Sequence, residues 1–103
     1  MSFVQIQTTF EEEADLNAIA DLLLKDRLAA CIQIIPIKSI YKWKDVINKE
    51  NEFLCLIKTK DSLVSEIIEL IKKNHSYENP EIIVTDILDG SNEYFDWIEA
   101  QTK

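Results

Sequence analysis

The chain has 103 residues, of which 47% are hydrophobic and 29% are charged. This composition is typical of one globular domain over residues 1–103 and excludes a low-complexity or disordered segment. Nineteen acidic residues outnumber eleven basic ones, giving a formal net charge of −8. The resulting negative field disfavours nucleic acid and anionic membranes as partners.

The sequence also indicates where the protein works. No apolar run reaches the ~20 residues that a membrane span needs, and the N-terminus does not fit a signal peptide. The two cysteines, Cys31 and Cys55, lie in separate apolar runs. This placement favours reduced core thiols over a disulfide framework. We therefore expect a cytoplasmic protein.

The N-terminal quarter predicts a strand followed by a helix. Residues 3–8 alternate apolar and polar side chains, which is typical of a strand. Thr9 and Glu12 have the spacing of a capping box. Apolar residues then recur every three or four positions, so a helix is predicted to run to about Asp26.

The middle of the chain predicts short extended segments. Residues 30–35 form an apolar run that reads as a second strand. Pro36 is expected to end its pairing, because proline cannot donate to a ladder. Residues 39–44 are predicted to form a separate extended piece, followed by a polar connection around 48–51.

The C-terminal half repeats the strand and helix order. Residues 53–57 are apolar at every position, which predicts a strand buried on both faces. Asp61 is expected to cap a second helix, and residues 82–88 to form the next strand. Ser91 or Asn92 is expected to cap a short last helix.

This order predicts an α+β, ferredoxin-like β-α-β-β-α-β sandwich with an added C-terminal helix. In that architecture the two main helices cover one face of an antiparallel sheet. The runs at 30–35 and 53–57 place apolar side chains on both faces. We therefore expect other copies of the chain to bury the second face, in a closed homo-oligomer.

Five stretches carry a resemblance to a known family. They occur in the order and spacing of the CutA divalent-cation tolerance proteins, and the likeness covers nearly the whole chain. They are RLAAC at 27–31, SIYKW at 39–43, LIKT at 56–59, HSYENPEII at 75–83 and DGSNEYFDW at 89–97. The resemblance implies a fold similar to that of the PII signalling proteins, a homotrimer, and a link to tolerance of divalent cations, copper foremost.

The chain departs from the family pattern at two places that bear on function. Thr9 and Phe10 stand where family members usually carry a Cys-Pro pair, so a metal role for that cysteine does not apply here. Lys44 and Asp45 follow Trp43 where the family often has Glu-Gly. These changes bear on loop geometry more than on the fold.

Three residues are candidate metal ligands. His75, the only histidine, suits copper or zinc through its neutral ring, and the thiolate of Cys31 would favour Cu(I). The alternative for His75 is a cap at a helix C-terminus. No Cys-x-x-Cys or His-x-x-x-His pair exists. Copper or another divalent cation is therefore expected to bind weakly or at a subunit boundary, with help from carboxylates such as Glu78.

The resemblance also places five residues around a cleft near the subunit boundary. Aromatic walls with one cation and one carboxylate suit a small ligand. They are Tyr41, Trp43, Lys58, Tyr77 and Glu81. In the alternative interpretation, the aromatic residues pack at the trimer interface, where Lys58 and Glu81 form an ion pair.

An enzyme is not predicted. One histidine and one glycine leave little scope for a nucleophilic triad or a glycine-rich phosphate loop. The sequence thus predicts a trimeric divalent-cation tolerance protein. The alternative is a PII-like interaction or signalling module with a small-ligand cleft and no direct metal role.

Overall fold

The computed structural model describes residues 2–103 and contains a four-stranded sheet and three α-helices. In chain order the elements are β1 (Phe3–Phe10), α1 (Glu13–Lys25), β2 (Cys31–Trp43), β3 (Val46–Lys60), α2 (Val64–Asn74), β4 (Ile83–Ile87) and α3 (Asn92–Gln101). Within residues 2–103, the helices are all too short or too polar to cross a membrane.

The sheet has the strand order β2-β3-β1-β4, and every neighbouring pair is antiparallel. This is the arrangement of a ferredoxin-like fold, so the predicted α+β class is confirmed. Helices α1 and α2 pack on one face of the sheet.

The core lies between that face and the two helices. Alternate residues of β1 point into it, and Ile6 is paired with Ile57 of β3. Burying each such aliphatic side chain stabilises the fold by roughly 1.5–3 kcal/mol. The helices contribute Leu16, Ile19, Leu23, Ile67 and Ile71.

The second strand does not end at proline, and this prediction was wrong. Pro36 pairs with Phe53, and β2 continues to Trp43. Because β2 is the edge strand of the sheet, a residue without an N–H can face outwards there without breaking a ladder bond. The segments 39–44 and 48–51 are therefore the two halves of one hairpin rather than a separate piece and a connection.

The end of this hairpin extends past the rest of the sheet. Residues 37–52, here called the hairpin arm, lie beyond Phe53, the last position of β3 that pairs with β1. The molecule is 45 Å long, and its radius of gyration is 14.3 Å, against about 13 Å for a typical domain of this length. Ile40 and Ile47 on the arm are 69% and 67% exposed. A single copy thus leaves large apolar side chains in water.

The predicted capping box at the first helix is not formed. Thr9 remains in β1, where it pairs with Leu54. The helix begins at Glu13, and Glu12 precedes it without a side-chain capping bond. Thr9 therefore belongs to strand β1, although the local sequence pattern predicted that it would cap the helix.

The other two helix starts differ from each other. Asp61–Leu63 forms a turn of 3-10 helix ahead of α2, and no side chain caps either element, so the predicted Asp61 cap was wrong. At α3 the prediction is confirmed, because Ser91 Oγ accepts a hydrogen bond from Tyr94 N–H at 3.2 Å.

The second face of the sheet is mixed rather than uniformly apolar. Helix α3 covers one end of it, where Phe95 stacks on Phe3. On the remainder, Leu54 and Leu56 of β3 are only half-buried and Ile35 is exposed. The prediction that residues 53–57 are buried on both faces is therefore wrong for a single copy.

Candidate functional site

A cleft of about 690 Å³ lies between the hairpin arm and the segment 76–81 that follows α2. Four of the five predicted cleft residues line it, and so does Glu78. The four are Tyr41, Trp43, Tyr77 and Glu81. Three aromatic rings and several carboxylates therefore share one concave surface.

The register of the hairpin arm places Tyr41 beside two glutamates. Side chains alternate along a strand, so Tyr41 and Trp43 lie on one face of β2. Tyr41 is paired with Asn48, which puts Glu50 and Glu52 of β3 on that same face. The Tyr41 hydroxyl donates to Glu50 Oε2 at 2.8 Å.

The Glu52 carboxylate joins the arm to the opposite wall. Its side chain is 7% exposed, and Oε2 accepts a hydrogen bond from the Tyr77 hydroxyl at 2.7 Å. Burial, the hydrogen bond to Glu52 and the glutamate charge raise the pKa of Tyr77. The bond to Glu50, followed by partial burial, raises the pKa of Tyr41 to about 12. Both phenols are therefore neutral at physiological pH.

His75 holds the second wall in position. Its Nδ1 accepts a hydrogen bond from Tyr77 N–H at 3.0 Å, so the ring proton of the neutral form is on Nε2. Nε2–H donates to the carbonyl oxygen of Thr9 at 2.8 Å, and the ring stacks on Phe10 at 4.4 Å between centroids. His75 is also the C-cap residue of α2. Both of its nitrogens are engaged, so a metal bound by either would displace one of these bonds.

Cys31 and His75 are not brought together within one chain. Cys31 pairs with Lys58, which pairs with Gln5, whereas His75 contacts Thr9 on the same strand as Gln5. Four residues of strand separate these positions by roughly 13 Å. Within residues 2–103 no group of three or more histidine, cysteine, aspartate or glutamate side chains is placed to hold a metal ion.

Cys55 is an even poorer candidate for a metal ligand than Cys31. Cys55 is a free thiol buried in the core, and burial raises its pKa to about 12. Its paired neighbours are Thr8 and Ile34 on the helix-covered face, opposite the face that carries Cys31. The two thiols therefore lie on different sides of the sheet.

Lys58 and Glu81 do not pair within one chain, and the ion pair expected at a trimer interface stays a prediction. The Lys58 ammonium donates to Gln33 Oε1, and Glu81 Oε2 accepts from Gln7 Nε2 at 2.8 Å. Lys58 lies six residues along β3 from Glu52, roughly 20 Å away, so it is outside the cleft.

Sequence reasoning missed the two glutamates that bond the cleft tyrosines. In the sequence, Glu52 is only the polar residue that precedes the apolar run 53–57. Its place opposite Ile37, on the face of Tyr41, follows from a two-residue turn at Lys44 and Asp45. Neither of these is a glycine, so the sequence carried no clear signal of the turn and hence of the register.

The sequence is similar to a defined family of proteins. The family model described as CutA1 divalent ion tolerance protein matches residues 4–101. The divalent-cation tolerance protein CutA of Archaeoglobus fulgidus is 38% identical over 98 residues, which cover 95% of this chain and 94% of that protein. The CutA of Thermus thermophilus is 37% identical over 95 residues, which cover 91% and 92%.

Plant relatives are longer. The chloroplastic CutA of Arabidopsis thaliana is 36% identical over 86 residues, which cover 82% of this chain but 47% of that protein. The chain thus spans about half the length of such relatives.

Solved structures agree with the fold. The Archaeoglobus fulgidus protein, described as a periplasmic divalent cation tolerance protein, has a TM-score of 0.95 at 34% identity, covering 98% of this chain and 99% of that one. The CutA1 of Oryza sativa also has a TM-score of 0.95, at 31% identity, covering 100% and 95%.

Proposed function

Because the chain belongs to the CutA1 divalent ion tolerance family, we propose that it acts as a homotrimer that binds copper or another divalent cation weakly, at clefts where subunits meet. The observation that carries the proposal is the negative charge of the cleft, which Glu52, Glu78 and Glu81 line without converging on one point within the described residues of one chain. Carboxylates attract divalent cations and supply the oxygen ligands that hard cations prefer. The family is named for ion tolerance rather than for a reaction, and we propose a binding role rather than a catalytic one.

The exposed apolar surface supports self-association. Ile40 and Ile47 on the hairpin arm, with Ile35 on the second face, are large side chains that a single copy leaves in water. The outer edge of β2 also offers backbone groups for pairing with another strand. Further copies of the chain would cover both features, and the number three comes from the family resemblance.

The ligand geometry supports a weak or shared metal site. The ring nitrogens of His75 are both hydrogen-bonded, and Cys31 lies at the other end of the sheet. A tight transition-metal site needs three or four converging ligands. A second subunit would have to supply the ligands that one chain lacks around Glu78.

Calorimetry with Cu(II), Cu(I) and Mg²⁺ tests the metal role. Wild-type protein should give a saturable heat with at least one of the three ions, and Glu78→Gln or His75→Ala should weaken that event. Glu93→Gln on α3 is the matched control, because Glu93 is exposed and outside the cleft. The absence of a saturable heat in wild type would contradict direct metal binding, and curves that coincide for all four proteins would contradict binding at the cleft.

The second candidate function is an interaction or signalling module with a small-ligand cleft. The aromatic rings of Tyr41, Trp43 and Tyr77 favour it, since a simple ion site has no need of them. For either function we propose a cytoplasmic location, where Cys31 and Cys55 stay reduced.

A further inference from the structure

We propose that the cleft between the hairpin arm and segment 76–81 binds an organic cation of the alkylammonium or guanidinium class. The cation would lie against the Tyr77 ring and beside the Glu52 carboxylate that neutralises it, in a cleft that Tyr41 and Trp43 also line. Such binding rests on the second candidate function, the small-ligand cleft, and needs no metal ion.

The first observation is a buried carboxylate that lacks a counter-charge. Glu52 is 7% exposed and lines the cleft. Among residues 2–103, its only hydrogen-bond donor is the Tyr77 hydroxyl, which contacts Oε2. No lysine or arginine of the described chain forms an ion pair with it. A carboxylate taken out of water is normally paired with a cation, so Glu52 is poised to receive one.

The second observation is the aromatic lining of the cleft. Tyr77 contacts Glu52 directly, whereas Trp43 lies six residues along β2 from Ile37, the partner of Glu52, at the far end of the cleft. The rings of Tyr41, Trp43 and Tyr77 line the same cleft. Aromatic faces attract cations, and tryptophan does so best. Trp43 already illustrates this, because Lys44 Nζ lies 5.9 Å from the centre of its ring.

The hydrogen bonds of the cleft exclude anions. The hydroxyls of Tyr41 and Tyr77 both donate to glutamates, so neither proton is free for an anionic ligand. Glu78 and Glu81 on the other wall add negative charge. With Glu52 they outnumber Lys42, the one cationic residue among the described lining residues, so the net field inside the cleft is repulsive to phosphates and carboxylates.

The same features favour an organic cation over a small hard one. Divalent ions such as Mg²⁺ and Ca²⁺ take about six or more oxygen ligands. Within residues 2–103, no such convergent group is present. An alkylammonium or guanidinium ion is weakly hydrated and gains from ring contacts as well as charge. The volume of about 690 Å³ also lies within the range of small-molecule pockets.

Fluorescence of a single-tryptophan protein tests this binding directly. The chain has two tryptophans, so Trp97→Phe leaves Trp43 as the only reporter inside the cleft. Tetramethylammonium chloride and methylguanidinium chloride serve as probes, at an ionic strength held constant with NaCl. We expect saturable binding with Glu93→Gln unchanged, whereas Glu52→Gln raises the dissociation constant by about tenfold or more, a loss of at least 1.4 kcal/mol.

A second variant guards against misfolding of the first. Tyr77→Leu removes the ring that contacts Glu52 and keeps Trp43 as the reporter, so its binding is read by the same fluorescence. We expect several-fold weaker binding with an unchanged circular dichroism spectrum. Equal binding with and without the Tyr77→Leu change would overturn the ring contact.

Three other outcomes would overturn the proposal. A signal that follows ionic strength alone, or that Mg²⁺ displaces as effectively as the organic probes do, would mean a nonspecific acidic surface. Binding that appears only when the protein is diluted would mean that lysine or arginine of a second copy fills the cleft. The metal calorimetry is measured separately, so failure here leaves the cation-tolerance proposal standing.

Discussion

At the scale of single residues, the only glycine in the sequence is required by a neighbouring ring rather than by its backbone. A Cβ at Gly90 would lie 2.8 Å from Cζ of Phe95. The Phe95 ring is stacked on Phe3, with centroids 4.8 Å apart and planes 6° from parallel. Gly90 does not have a positive φ, so any residue could adopt its backbone. Space alone excludes a side chain.

This contact predicts a coupled pair of substitutions. Gly90→Ala should push the Phe95 ring off Phe3 and lower the free energy of unfolding by about 1–3 kcal/mol, the range for overpacking. In a Phe95→Leu background the smaller side chain can yield, so the same Gly90→Ala change should cost less than half as much. Urea denaturation of the four proteins measures the cycle. Equal costs in both backgrounds would refute the steric explanation.

Single residues also show how far the sequence could predict the cleft. The family resemblance pointed to Tyr77 and Glu81, which line the cleft of one chain, because motif spacing carries over with the fold. It did not point to Glu52, and it included Lys58, which lies outside the cleft of one chain, because both positions depend on strand register. Register is set by pairing across the sheet, and a shift of one residue moves a side chain to the other face.

At the scale of elements, a two-residue turn determines that register. Lys44 and Asp45 have φ of 50° and 65°, which is the geometry of a type I′ hairpin turn. Trp43 is therefore paired directly with Val46, and the ladder runs unbroken to Cys31. The turn normally favours glycine or asparagine, so Lys-Asp gave no local signal, and the polar residues 48–51 were interpreted as a connection.

Substitutions at Asp45 should report the cost of this backbone. Asp45→Gly should leave stability unchanged or raise it by up to about 1 kcal/mol, because glycine adopts a positive φ freely. Asp45→Val should lower it by roughly 1–3 kcal/mol, because a β-branched residue is strained there. Lys49→Val, exposed on the same arm, is the control, and denaturant unfolding is the measurement. If Asp45→Val were no worse than Lys49→Val, the turn assignment would fail.

Another element junction explains a motif that the family resemblance highlighted. Arg27 has φ of 57° after the end of α1, and the next residue, Leu28, donates its N–H to Leu23 O at 2.9 Å. The Arg27 guanidinium donates a hydrogen bond to Ala100 O at 2.8 Å, at the end of α3. Arg27 thus lies at the C-termini of both α1 and α3 and helps to cap them, so its role here is structural.

At the scale of the whole molecule, two surfaces of a single chain leave large apolar side chains in contact with water and bear on assembly. The hairpin arm carries exposed Ile40 and Ile47, and the second face carries Ile35 beside half-buried Leu54 and Leu56. The fold class could be predicted from the sequence, because helix and strand periodicity determine it. The hairpin arm could not be predicted from the sequence, because residues 37–52 can be identified as strands only when their pairing is known.

Substitutions on the arm test whether it is an assembly surface. Ile40 and Ile47 lie on the same face of the hairpin arm, in pairs two positions apart in the register. Wild-type protein should sediment at about three times the mass of the 12.0 kDa chain. Ile40→Ser with Ile47→Ser should weaken association roughly hundredfold or more, since each buried isoleucine contributes about 1.5–3 kcal/mol.

A matched substitution separates loss of assembly from general loss of hydrophobicity. Leu24 on α1 is also a large exposed aliphatic residue, but it lies in the helix layer, away from the arm. Leu24→Ser should therefore leave sedimentation unchanged. Wild-type protein at single-chain mass at every concentration would contradict the assembly, and equal dissociation of both variants would place the interface elsewhere. If the arm variant dissociates and its metal titration is lost at the same time, the metal ligands come from more than one subunit.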